Sequence, residues 1–541
     1  MNQGTVGRHA VPVRMDPPAP LPHHVIIGAG LLVGVAGNLL AQGPGVPGLS
    51  MFAFFGTLAI AIGTASRWAG QPPSREAWAW IGAGLMFASV FVLRASPGLQ
   101  FVAFLGASAA FAFPAFRAGG PWIRRSGVMD QIEAMAGAAG YAGLGAFRLA
   151  TRALVTPGAV APEGHSPEGP GTHSPRLPAL LRGILLAVPL LFVFGALFVS
   201  ADRVFAEMVE GLLGTALEEW LSHVLVTGIV AWLATGYLTG FLTGTRVRDV
   251  VAVRMRRPTL GIVEIGIAMG LLSVLFSVFI AVQFRYLFGG AGLVEVTPGL
   301  TYAEYAREGF GQLALVSALV IPMLLVSDWL LGRPGPRAHA TFRILGSLQL
   351  LLLFLVILSA FQRVRAYQEA YGLTESRFYG VVFLGWLTLV SFGFGLTVLR
   401  GRREQFAFPM LLSALVVMGS LSVANPDAWI VRSNLARAAV VPAAPTAETP
   451  TGSPRDRNVD IEYLASLSAD AVPVLLEALP RLPHEMQCHL AGRLLERWGA
   501  PRESDWRSWN VAMIRAGHRV RAEAPTLQRL IDAGAGCTRI P

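Results

Sequence analysis

The sequence predicts an all-α fold: a polytopic helical membrane protein of about eleven transmembrane helices, with a small C-terminal extramembrane helical domain. Three observations carry this reading. Only 14% of the 541 residues are charged and mean hydropathy is +0.54, whereas a soluble domain carries about 25% charged residues. Eleven apolar runs occur, near 24–41, 50–66, 77–93, 98–116, 178–200, 219–243, 260–284, 309–331, 341–361, 378–399 and 406–424. Crossing a hydrocarbon core of about 30 Å takes roughly 20 helical residues, so most qualify, with the second and third marginal. Finally, the connecting segments alternate between arginine-rich and arginine-poor, as the positive-inside rule requires of a multi-pass chain.

Residues 1–22 hold five prolines, read as a disordered cytoplasmic tail, and lack a cleavable signal peptide. A four-span block over 23–117 follows. Residues 118–177 combine an amphipathic helix near 128–153, suited to a membrane surface, with a Pro/Gly/Ser-rich linker at 156–178 expected to stay disordered. A seven-span core covers 178–424. With the N-terminus inside, the arginine-rich segments are cytoplasmic, among them Arg117, Arg124 and Arg125, then Arg246, Arg248, Arg254, Arg256 and Arg257, then Arg400, Arg402 and Arg403. The outside loops hold only Arg94, Arg203, Arg285, Arg307, Arg363, Arg365 and Arg377. That orients the chain with the N-terminus inside and the C-terminal domain outside. The net charge of +10 is all arginine, with no lysine. It is what cytoplasmic loops require and does not imply nucleic acid.

Beyond the spans, 425–454 forms an external motif and linker, and 455–541 an external helical domain. Residues 460–466 read as a short helix. Ser468 looks like the cap of a second, with Val472, Leu475, Leu476 and Leu479 on one face. A third follows Pro483, with Met486, Leu490, Leu494, Leu495 and Trp498 inward. Cys488 and Cys537 are the only cysteines. Outside the cytoplasm they could pair, closing a loop of 50 residues for roughly 4 kcal/mol of chain-entropy stabilisation; two unrelated thiols fit the sequence as well.

Catalytic, cofactor and metal motifs are poor. His484 and His489 are five apart, so they do not share a helix face for one metal. Gly28 and Gly30 lie in a span, where they serve close packing, as do Gly266/Gly270 and Ser273/Ser277. The informative pattern is sidedness. Polar and aromatic clusters fall on the predicted outer side: Asp202 and Arg203; Gln283, Arg285, Tyr302, Glu304, Tyr305, Arg307 and Glu308; Arg363, Arg365, Tyr367, Glu369, Tyr371, Glu375 and Arg377; then Asn425, Asp427, Arg432 and Asn434. Together they predict an external polar platform. It serves either as a binding surface or as an ion-paired interface that fixes helix ends and docks the tail.

The stretches SADRVF (200–205), YLFGG (286–290), TYAEYAREGF (301–310), SAFQRVRAYQEAYGLTESRFY (359–379) and NPDAWIVRSNLAR (425–437) resemble a bacterial multi-pass membrane family. So do YLASLSADAVPVLLEAL (463–479) and DWRSWN (505–510). The family is the one catalogued as domain of unknown function 4173, related to the 4153 group. The resemblance runs from about residue 180 to the end. It implies a cytoplasmic-membrane protein and brings no catalytic residues with it.

Three functional classes follow. The first is a non-enzymatic envelope scaffold or regulator that holds an envelope protein or lipid partner on the platform and tail. The second is a transporter or lipid-handling protein. The third is a membrane enzyme acting on an external lipid-linked substrate through Glu304, Glu308 or Arg307.

Overall fold

The computed structural model describes residues 23–41, 48–115, 128–155, 198, 202–243, 260–288, 310–331, 335–439, 459–501 and 505–533. All regular structure among them is helical. Ahead of the tail the helices are α1 (His23–Ala41), α2 (Leu49–Trp68), α3 (Arg75–Ala88) continued by α4 (Val90–Leu93), α5 (Pro97–Ala115), α6 (Val128–Val155), α7 (Arg203–Thr243), α8 (Ile262–Phe288), α9 (Phe310–Leu331), α10 (Pro336–Tyr371), α11 (Glu375–Thr397) and α12 (Ala407–Ala424). The tail comprises α13 (Pro426–Ala439), α14 (Ile461–Ser466), α15 (Val472–Ala478), α16 (His484–Trp498) and α17 (Val511–Ala533).

Nine helices among the described residues are long and apolar enough to cross a membrane. The run at 98–116 gives a shorter apolar helix, Pro97–Phe113. The run at 178–200 lies outside the described residues, apart from Phe198. The apolar run at 219–243 proves to be the second half of a 41-residue helix. Many outward side chains on these helices are leucine, isoleucine or valine, such as Val263, Leu271 and Ile344. An all-round apolar helix surface is what lipid as a solvent allows.

The two larger buried clusters of the membrane part, beside two small ones around Leu99 and Trp80, divide it in two. One joins α1, α2, α3, α5 and α7 around Ile26, Phe55, Ile62, Phe87, Phe111 and Leu238. The other joins α8 to α11 around Met269, Leu324, Phe342, Leu353 and Phe394. Helix α1 runs antiparallel to α7, with Gly30 beside Thr235 and Gly37 beside Val230. Their interface also carries a hydrogen bond between Asn38 Nδ2 and His223 Nδ1, 2.9 Å apart. Gly28 and Gly270 meet nothing, so not every small residue of the sequence is a packing position. Ser273 instead makes a buried bond across the α8–α10 contact, donating to Gln349 Oε1 at 2.9 Å.

The amphipathic helix expected near 128–153 forms as α6 and packs along α7. It presents Tyr141, Ala146 and Leu149 inward, while Ile132, Met135, Leu144 and Phe147 stay exposed. Backbones meet here: a methyl group at Gly236 would lie 2.3 Å from Tyr141 O and 2.4 Å from Ala142 O. Only a residue without Cβ permits that approach, which is how small residues let helices associate inside lipid. Gly236→Ala should therefore lower the thermal midpoint in detergent, at an overpacking cost of about 1–3 kcal/mol. Gly28→Ala, where a methyl meets open space, should leave the midpoint unchanged. Equal midpoints for the two variants would contradict this packing.

Candidate functional site

The helix ends sort into two groups by contact. At one end, Arg94 follows α4, Ser96 precedes α5, Phe310 and Glu375 begin α9 and α11, and Gln283 and Arg363 lie one to two turns before the ends of α8 and α10. At the other end, Leu260 N–H donates to Leu330 O at 3.1 Å and Arg403 pairs with Asp328 at 3.5 Å. The second group belongs to the arginine-rich segments of the sequence and the first to the arginine-poor ones.

The tail docks on the first end, and its core is shared with the membrane part. Leu373, Ala428, Ile430 and Val431 are buried in one cluster with Leu464, Leu475, Leu490, Leu494, Val520 and Leu527. Ile430 and Val431 are 0% exposed, each burial contributing about 1.5–3 kcal/mol. The inward residues expected on the second and third tail helices are the ones that pack here. The cap expected at Ser468 is used differently. Helix α15 starts at Val472 without a side-chain cap, and the Ser468 hydroxyl donates to Asp427 Oδ2 while accepting from Asp470 N–H.

Polar groups of the tail then close the open ends of the membrane helices. The first N–H and last C=O groups of any helix lack internal partners. Asp470 Oδ2 accepts from the N–H groups of Ala95 (2.6 Å) and Ser96 (3.3 Å), just before α5. Its Oδ1 takes the Arg94 guanidinium at 3.2 Å. Arg94 in turn donates to the carbonyls of Ser422 and Val423, in the last turn of α12. Asn510 Nδ2 donates to Phe91 O and Arg94 O, both at 2.7 Å. Tyr463 Oη accepts from Glu375 N–H at 2.8 Å, at the start of α11. Asn434 holds both polar groups of Leu373, accepting from N–H at 2.7 Å and donating to C=O at 2.8 Å.

Asn425 makes the turn from α12 to α13. It adopts φ 53°, a left-handed conformation that asparagine tolerates better than most side chains. Its Oδ1 accepts from Ala428 N–H and its Nδ2 donates to Asp470 O, both at 3.2 Å. Two residues on, Asp427 is 0% exposed. Oδ2 accepts from Ser468 N–H and the Ser468 hydroxyl, whereas Oδ1 has no partner among the described residues. Burial pushes the Asp427 carboxyl up to about 6, the Ser468 hydroxyl opposes the rise, and the Glu375 and Asp470 carboxylates add to it.

Of the platform residues expected from sequence, Glu375, Asn425, Asp427 and Asn434 meet at this junction. A neighbouring group forms on α8, α10 and α11. Gln283 Oε1 accepts from Arg363 at 2.7 Å. The Arg377 guanidinium lies 3.9 Å over the Tyr367 ring and donates to Gly372 O, while the Tyr367 and Tyr371 ring centroids are 4.9 Å apart. Arg365 and Arg432 are exposed. Arg203 is exposed and pairs with Glu207 one turn along its own helix, at 3.6 Å, so Asp202 and Arg203 do not join the junction. Tyr302, Glu304, Tyr305, Arg307 and Glu308 lie outside the described residues, as do the side chains of Arg285 and Glu369. Cys488 is buried and is not a free thiol, and Cys537 lies outside the described residues. No cluster of histidine, cysteine and carboxylate suited to a metal occurs among the described residues.

Sequence reasoning missed Arg94, Ser96, Tyr463, Ser468, Asp470 and Asn510 as junction residues. A signal was present for some of them. Arg94 is one of the few arginines in the arginine-poor loops, and Asp470 and Asn510 fall inside the motif-like tail runs. Residues 81–478 match the model of the family described as Domain of unknown function (DUF4153), so the chain belongs to that family. The match is to the 4153 group to which the motif resemblance related the chain; the 4173 name itself is not confirmed. No curated protein and no solved structure matches the chain.

Two outcomes follow from the junction. Asp470→Ala removes three charge-assisted bonds, each worth about 1.5–3 kcal/mol. Amide hydrogen exchange over residues 466–476 should then accelerate at least tenfold, and less in Asp470→Asn, which keeps one acceptor. The Asp427 carboxyl is raised in the docked state above its ordinary value, so its contribution is complete below about pH 4 and disappears as pH rises through about 6. Docking should be firmer at pH 5 than at pH 7.5, and Asp427→Asn should abolish that difference.

Proposed function

We propose that the protein is a non-enzymatic scaffold or regulator of the bacterial cytoplasmic membrane, with its N-terminus inside and its helical tail outside. The observation that carries this reading is the tail junction itself. Asp427, Asp470, Asn434 and Asn510 are committed to fastening helix ends and the tail. Residues so engaged position a domain; they are not free to bind and turn over a substrate. The fastened tail offers its outer face to an envelope partner. There Arg493 bridges Glu462 and Glu496, with all three side chains largely exposed. The arginine asymmetry supports the orientation.

The experiment has two arms. A single cysteine introduced at Arg432, with Cys488 and Cys537 changed to serine, should react with a membrane-impermeant maleimide in intact cells; protection until lysis would reverse the topology. Detergent affinity purification should recover a partner with the full chain that is lost both from Asp470→Ala and from an Arg493→Ala/Glu496→Ala variant. Identical partner lists for all three would sink the scaffold reading. The external placement also supports a Cys488–Cys537 disulfide. A mobility shift between reducing and non-reducing gels, absent in Cys488→Ser, is the expected result.

A further inference from the structure

We infer that the turn at 505–509 and the first half of α17 form a contact surface for anionic phospholipid headgroups. Depth is the first argument. Leu49 N–H, in the first turn of α2, donates to Trp509 O at 3.0 Å, and Arg507 Nη1 donates to Leu39 O, near the end of α1, at 2.9 Å. A methyl group at Gly48 would lie 2.5 Å from Trp509 O, so the turn is wedged against the helix start with no space between. The turn therefore lies at the level where two spans leave the hydrocarbon. That level is occupied by lipid headgroups wherever protein does not cover it.

Side-chain chemistry is the second argument. Trp506 is 56% exposed, Trp509 40% and Ile514 46%, and Leu39 beside them is also exposed. Indole rings with an apolar body and one N–H donor favour the headgroup region. Charge is the third. From Val511 to Ala522 the helix carries Arg515, His518, Arg519 and Arg521, all exposed, and no carboxylate. None of these arginines has an ion-pair partner among the described residues. Arg493, Arg497 and Arg507 are by contrast engaged, with Glu462 and Glu496, with the carbonyls of Ala465, Ser466 and Leu467, and with Asp505 respectively, while Arg432 and Arg481 are exposed and unpaired among the described residues, as isolated charges away from this edge. An apolar edge at headgroup depth beside unneutralised guanidinium groups matches an anionic lipid surface. The surface is continuous with the tail–bundle junction, so docking of the tail fixes its depth.

The test uses the full chain in nanodiscs of phosphatidylcholine with a minor fraction of phosphatidylglycerol. A photo-crosslinking amino acid replaces Trp506 or Ile514, and adducts are identified by mass. Lipid adducts are expected from both positions, with phosphatidylglycerol enriched at least about threefold over its mole fraction. An Arg515→Gln/Arg519→Gln variant, with thermal midpoint checked, should keep the adducts and lose the enrichment. The inference is overturned by an absence of lipid adducts, by adducts at the mole fraction in the unaltered chain, or by adducts mainly to a co-purifying protein.

Discussion

A helix that leaves the hydrocarbon core still carries unpaired N–H groups on its first turn and unpaired C=O groups on its last. Inside lipid such groups are very costly, and at the boundary they must find water or protein. At one end of this bundle they find protein. Asp470 takes the two N–H groups ahead of α5, Asn510 takes the carbonyls of Phe91 and Arg94, and Arg94 takes those closing α12. The helix ends are thus pinned to one another through the tail. The position of the tail in turn depends on all of them.

That dependence ties the tail to the helix ends. Its hydrophobic core is completed by Leu373, Ala428, Ile430 and Val431, which belong to the segments next to α11 and α12. Asp427 is the weak point of that arrangement: it is fully buried, faces two other carboxylates and has Ser468 as its hydrogen-bond partner. Its protonation state therefore belongs to the same equilibrium as docking.

The same geometry gives the tail two distinct outer regions. The turn at 505–509 is held at the level of the span ends by Leu39 and Leu49. The Arg493 group on α16 lies elsewhere on the tail and is paired within it. The proposed lipid-facing and partner-facing edges need not compete, because each is held by its own contacts.

Much of this was legible in the sequence. Long apolar runs, a charged fraction of 14% and the arginine alternation determine the helical class and the sorting of loop ends, because lipid excludes charge and unpaired backbone by composition alone. The inward faces of the tail helices followed from their 3.6-residue period, and Leu475, Leu490 and Leu494 are buried accordingly. Which polar residues act together did not follow. Arg94 and Asp470 are 376 positions apart, and nothing local to either marks the other as its partner. Asp202 and Arg203 look as much like platform residues as Asp427 and Asn434, yet they stay exposed at the start of α7. The sequence determined which residues can leave lipid. Only the tertiary structure decided which helix ends they close, because a helix end accepts any well-placed donor or acceptor and the fold alone supplies the placement.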